Sequence, residues 1–454
     1  MQDKLARKLM MGCIFSLIGA LCCAADAAWP TWRGAGTSGI SEDGNPPIKW
    51  SETENVLWKV KLEGDGSDAS PIVWGDTIIF QSAVDTGKKS DSAPAAEPAP
   101  QPAPGGRPGR GPAKAPSSIY QFNVVCLDRN TGKEIWKTTV CEVVPHEGHH
   151  GDHGFASYSP VTDGKRIWAD FGSRGVYCLD MDGKILWKED LAKKSIRAGF
   201  GEGGSPALVG DLLIVVVDHE GQSFIAALNK DTGKTVWKQD RDEKTSWTTP
   251  LAVEFGGQTQ IVVVGRNRTR AYDPKDGKVI WECSGQTENV IPSPVAGFDM
   301  VFCTSGFRGS KLQAIKLGKT GDLTGTDAIA WEVSEGTPYV PSPLLHGEKV
   351  YVNAVNNPVI SCYNAKTGKP YYVKQGLDEI KGMYASPVGA ANRVYFVGRN
   401  GVTYVLSNSD EYTVLSINKL DDGIDASPAI VGDRIYLKGK QYLYCIAESK
   451  AEAK

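Results

Sequence analysis

The densest group of side chains able to do chemistry is the stretch PHEGHHGDHGFASYSP. It holds four of the six histidines, His146, His149, His150 and His153, with Glu147 and Asp152 among them. Imidazole and carboxylate donors at this density suit zinc, copper or nickel. The spacing matches no strict ligand motif, because paired ligands at i and i+4 need a helix that Gly148, Gly151 and Gly154 discourage. The competing role is structural: these rings hydrogen-bond their own loop and fix its shape. Elsewhere there is no Gly-x-Ser-x-Gly elbow, no His and Ser pair with motif support and no phosphate-cradling Walker loop. No residue is therefore assigned as catalytic.

What must position such groups is a unit of about 45 residues that recurs along the chain. Each unit opens with Ser-Pro or Thr-Pro, at Pro71, Pro160, Pro206, Pro250, Pro294, Pro343, Pro387 and Pro428. Successive prolines lie 89, 46, 44, 44, 49, 44 and 41 residues apart, and all but the first spacing suit a four-stranded blade. Within a unit the third strand ends in a Leu-Asp-like pair, then a tight Gly-containing turn, then a fourth strand bearing Trp: LDRNTGKEIW, LDMDGKILW, LNKDTGKTVW, YDPKDGKVIW. Trp136, Trp187, Trp237, Trp281 and Trp331, with Tyr372 in the sixth unit, are expected to pack between neighbouring blades. Cys126, Cys178, Cys362 and Cys445 share one repeat position with Ala227, Ala271, Ala314 and Val405, which marks a small buried slot and predicts few or no disulfides.

The last unit stops after its third strand, while NVLWKVKL at 55–62 reads as an unattached fourth strand with Trp58 in place. The expected fold class is thus all-β: an eight-bladed β-propeller of four-stranded blades over 28–447, closed by an N-terminal strand that completes the C-terminal blade. Residues 86–118, rich in Pro and Ala, read as a disordered insertion between strands two and three of the first blade, and 448–454 as a disordered tail.

In such a fold the loops entering each first strand and the turns between strands two and three share one face, here called the top. Entering loops bring Asp68, Trp247, Tyr339, Tyr384 and Asp425 to a central mouth, alongside Phe155, Tyr158, Glu202 and Asn289. The turns bring Arg174, Arg266, Arg308, Arg399 and Lys440. Arginines at repeated positions can grip a carboxylate, sulfate or phosphate, and aromatic rings can stack on a sugar or a flat ring. The plainer reading is that hairpin turns carry cations for solubility.

The LDxxTGKxxW element, together with WPTWRG at 29–34, resembles the pyrroloquinoline-quinone (PQQ)-like propeller repeat over 29–447. That resemblance implies two kinds of relative: quinoprotein alcohol dehydrogenases, which hold PQQ and calcium at the propeller axis, and the propeller lipoprotein of the outer-membrane β-barrel assembly machinery, which holds no cofactor. The dehydrogenases carry an adjacent disulfide-bonded cysteine pair against the quinone, whereas the only adjacent pair here is Cys22-Cys23. Those enzymes also use carboxylates for calcium and as the catalytic base; Asp68 and Asp425 are expected near the axis, and no spacing marks either for such a role.

Lys4, Arg7 and Lys8, the apolar run 9–23 and Ala25-Asp26-Ala27 have the layout of a secretory signal cleaved after Ala27. Cys13, Cys22 and Cys23 do not follow the Leu-small-small pattern of lipid attachment. The net charge of −3 offers no global basic field for nucleic acid. The expectation is an exported periplasmic or envelope monomer, near the outer membrane and without a membrane span after cleavage. Its top face would bind a protein partner or an anionic glycan-like ligand without catalysis. The alternative is a PQQ-dependent oxidoreductase resembling alcohol or sugar dehydrogenases.

Overall fold

The computed structural model describes residues 28–64, 68–90 and 114–448. The expected signal at 1–27, most of the Pro/Ala-rich insertion and nearly all of the expected tail lie outside the described residues.

Among the described residues eight sheets form a ring of blades, each built on four antiparallel strands; in seven blades these run in sequential order from the axis outwards, and three sheets gain a short fifth strand. The third blade is representative: Ala207–Val209, Leu212–Val217, Ser223–Asn229 and Thr235–Arg241. The closure is as expected. Val56–Lys61 pairs antiparallel with Tyr442–Ile446, with Trp58 opposite Cys445, so the eighth blade takes its outermost strand from the N-terminal side. In the first blade, however, Thr77–Lys89 and Ser118–Asp128 continue as a ladder to Lys89 opposite Ser118, past the point where the insertion was expected to begin. Beyond the core this two-stranded ladder is only half-buried, is held by its backbone bonds and leaves no apolar alternation to read.

Two features hold the blades together, and both explain the repeat. Near the axis, the backbone N–H of each Ser-Pro or Thr-Pro hydroxyl residue donates to the hydroxyl of the next. The ring runs from Ser70 through Ser159, Ser205, Thr249, Ser293, Ser342, Ser386 and Ser427 back to Ser70, at 2.8–3.2 Å. Each bond is worth about 1 kcal/mol net, but loss of one hydroxyl leaves a buried N–H unpaired at a cost of about 1–3 kcal/mol.

Farther out, the fourth-strand aromatic lies directly opposite the small third-strand residue: Trp136 opposite Cys126, Trp237 opposite Ala227, Tyr372 opposite Cys362. The indole N–H then crosses to the next blade. Trp58 donates to the Arg129 carbonyl, Trp136 to Met181, Trp187 to Lys230, Trp237 to Pro274 and Trp331 to Ala365. The turn glycine of that next blade packs on the ring. A Cβ on Gly233, whose φ is +73°, would lie 2.7 Å from Trp187, so glycine is required there by backbone conformation and by contact together. Trp281 departs from the pattern and donates instead to Gln260 of its own blade.

The segment 28–41 closes the ring from below. Ala28–Trp29 adds to the inner strand of blade 1, the Pro30 carbonyl accepts from Thr162 of blade 2, and Ile40–Ser41 pairs parallel with blade 7. Between them Arg33, 2% exposed, donates to the Pro387 and Pro343 carbonyls at 2.7 and 2.9 Å. Burial without a carboxylate partner pushes its guanidinium down to about 9.

Candidate functional site at the axial mouth

A cavity of about 480 Å³ lies on the axis. The hydroxyl ring and the Trp32 indole line it, and aromatic side chains from several blades form its walls, among them Phe200, Trp247, Phe307, Tyr339 and Tyr384. All five expected entering-loop residues, Asp68, Trp247, Tyr339, Tyr384 and Asp425, border this space. The repeat places them there because each first strand begins at the ring of hydroxyls, which leaves the preceding loop at the rim.

The histidine stretch lies over the same mouth. His150, Asp152 and His153 line the cavity. Asp152 reaches the far side of the ring, accepting from Arg399 at 2.9 Å and from the Tyr384 hydroxyl at 3.3 Å. Elsewhere the loop is fixed by the Glu147 carboxylate accepting from the Ile196 N–H at 3.0 Å and by His150 edge-on to Phe200. The expected metal ligands do not converge, and among the described residues no group of three or more His, Cys, Asp or Glu is placed to hold a metal. His146 pairs with the Lys194 carbonyl, His149 with the His150 carbonyl and His153 with the Gly154 carbonyl, while His150 faces Asp152 at 3.7 Å. Ser157 lies 3.0 Å from His153 Nδ1, but both groups also bond the Gly154 carbonyl, and burial pushes His153 down to about 4. An imidazole so held is a poor base at neutral pH.

The five expected cations form a set of ion pairs, which corrects the picture of a free basic ring. Arg174, buried, pairs with Glu202 at 2.8 Å. Arg399 grips Asp425 through two bonds of 2.7 and 3.1 Å while its guanidinium lies 3.9 Å from the Tyr384 ring centre, and Lys440 joins the same carboxylate at 3.3 Å. Arg266 and Arg308 share Glu288, at 3.3 and 3.5 Å. The carboxylates come from entering loops and the cations from turns of the same or the preceding blade, so counting cations on turns alone overstates the field. Asp68 has the cavity wall on one side and Asp425 nearby, and burial followed by that charge pushes it up to about 7.

Sequence reasoning missed Trp32, Phe200, Phe307, Glu288 and the reach of Asp152. The only signal for these was the WPTWRG match and the density of charge in the histidine loop.

Comparison with known proteins places this geometry in a family. The family described as outer membrane protein assembly factor BamB matches residues 121–372, more than half of the chain. The chain belongs to that family. It is similar to the BamB of Burkholderia pseudomallei, 23% identical over 316 residues, covering 68% of this chain and 75% of the relative. It is also similar to methanol dehydrogenase [cytochrome c] subunit 1 of Methylorubrum extorquens, 22% identical over 324 residues, covering 60% of this chain. The match takes in only 48% of that dehydrogenase subunit. Among solved structures, BamB from Moraxella catarrhalis aligns with a TM-score of 0.56 at 14% identity, over 86% of this chain and 99% of that one. Quinohemoprotein alcohol dehydrogenase from Comamonas testosteroni aligns with a TM-score of 0.59 at 10% identity, over 94% and 82%. At these identities the structural matches show a shared fold. Beside its dehydrogenase relatives, this BamB-family chain has a donor set that does not fit a calcium-bound quinone. Calcium takes six to eight oxygens, whereas both Asp425 oxygens already hold cations and Arg399 also binds Asp152. Among the described residues the seven cysteines are free, and none is adjacent to another in sequence.

Proposed function

We propose that this protein is a non-catalytic scaffold of the cell envelope, working as a monomer, with the axial mouth as its binding face for a protein partner or an anionic glycan-like ligand. The observation that carries this reading is the mouth itself: an aromatic-walled cavity on a closed ring of blades, with the Asp425 and Glu288 carboxylates at its rim held by cations rather than gathered around a reacting point. The assembly-factor relatives support a place at the outer membrane. No helix among the described residues is long and apolar enough to cross a membrane.

The test uses Arg308, whose side chain is 67% exposed, so that R308E changes the face without disturbing the fold. Wild-type and R308E protein are each immobilised and challenged with solubilised envelope. Partners retained by the wild type and lost with R308E support the reading, while identical sets overturn it. A PQQ-dependent oxidoreductase is the second reading, favoured by the similarity to methanol dehydrogenase. It requires a rise in melting temperature with PQQ and calcium, followed by dye reduction with alcohols or sugars. No rise removes it.

A further inference from the structure

Resting on the reading of the mouth as a binding face, we infer that its blade 4 and 5 side, formed by Arg197, Arg266, Arg308, Phe307 and Tyr339, is the subsite for the anionic group and ring of an acidic saccharide. Three guanidiniums here share one carboxylate. Glu288 takes Arg197 at 2.9 Å, Arg266 at 3.3 Å and Arg308 at 3.5 Å, which leaves two positive charges in excess. A guanidinium has five N–H donors and Glu288 has two oxygens, so most of the donors stay open to a ligand. The Arg266 and Arg308 side chains are 40% and 67% exposed, unlike the paired Arg174 at 6%.

The cluster adjoins the cavity. Glu288 bridges the backbone of Phe307, whose ring lies 4.9 Å from that of Tyr339 at an angle of 30°, and both rings line the cavity. Asn289, 2% exposed, interacts with the Tyr339 hydroxyl and so ties that ring to the entering loop that carries Glu288. The occupant that meets every feature carries an anion for the arginines, a pyranose face for the rings and hydroxyls for the axial hydroxyl ring. The anion is a uronic carboxylate or a sulfate ester, which the arginines would take in the same fork geometry.

Calorimetry on the whole protein tests this with trigalacturonate, a sulfated neocarrabiose and neutral galactotriose as probes. The expected result is binding of at least one anionic probe and none of galactotriose, and the anionic probe that binds identifies carboxylate or sulfate as the source. R266Q and R308E should each weaken that binding roughly ten- to hundredfold, as loss of a charge-assisted contact does. K278Q, on an exposed turn of the opposite face, should leave it unchanged. Failure of both anionic probes, equal binding of galactotriose, or affinity unmoved in both R266Q and R308E overturns the subsite. If envelope partners are still lost with R308E in that event, the binding face stands and only the saccharide falls.

Discussion

On the blade 7 and 8 side of the mouth, Arg399 and Lys440 meet Asp425, whose side chain is 2% exposed, with Asp152 and Asp68 close by. On the blade 4 and 5 side, three arginines meet Glu288, which is 28% exposed. Both groups set cations against a carboxylate carried by an entering loop. What differs is burial and balance. A buried pair is bound by the penalty of leaving either charge alone, whereas an exposed cluster is screened and contributes little to stability. The first side therefore reads as structural, the second as available for ligand.

That contrast breaks first at Arg399. R399M strips Asp425 of its two-pronged partner and should lower unfolding free energy by about 3 kcal/mol, tempered by Lys440, in urea denaturation. R308M should cost no more than about 0.5 kcal/mol in the same assay, and equal losses would erase the distinction. A smaller effect is expected from D152N, which removes the charge that ties the histidine loop to Arg399. Amide exchange over 148–154 should speed up by roughly tenfold while the melting temperature stays nearly constant. Unchanged exchange would show that the Glu147 and Phe200 contacts alone hold the loop.

The smallest and most specific effect concerns pH. Asp68 binds its proton more tightly folded, at about 7, than an unfolded carboxylate does. The folded state therefore holds more protons than the unfolded state between about pH 4 and 7, and stability falls as pH rises through that window. His153, pushed down to about 4, acts oppositely and removes stability as pH falls below its ordinary range. In D68N the decline between pH 5 and 7 should flatten, raising the melting temperature at pH 7.5 by about 1–3 °C relative to wild type. A parallel shift at every pH would mean that Asp68 acts by packing rather than by charge.

Much of this architecture was legible without coordinates, because it is written at short range and then repeated. Pro spacing counts the blades, Trp and small residues fall in fixed register, and an orphan strand at 55–62 matches a missing one at the C-terminus. Each is a local pattern whose partner in the next repeat looks alike, so periodicity reveals the contact. The positions of Asp68, Trp247, Tyr339, Tyr384 and Asp425 at the mouth follow from the same phase. Where the charges end up does not follow from it. Asp152 meets Arg399 across 247 residues, Arg33 meets Pro387 across 354, and Arg197, Arg266 and Arg308 gather on Glu288 from loops of different blades. No repeat encodes those meetings, since they occur once each, in loops where composition varies freely. Closure of the ring brings Asp152 to Arg399 and Arg33 to Pro387, packing of consecutive blades gathers the arginines on Glu288, and burial then decides which charges are neutralised and which remain exposed.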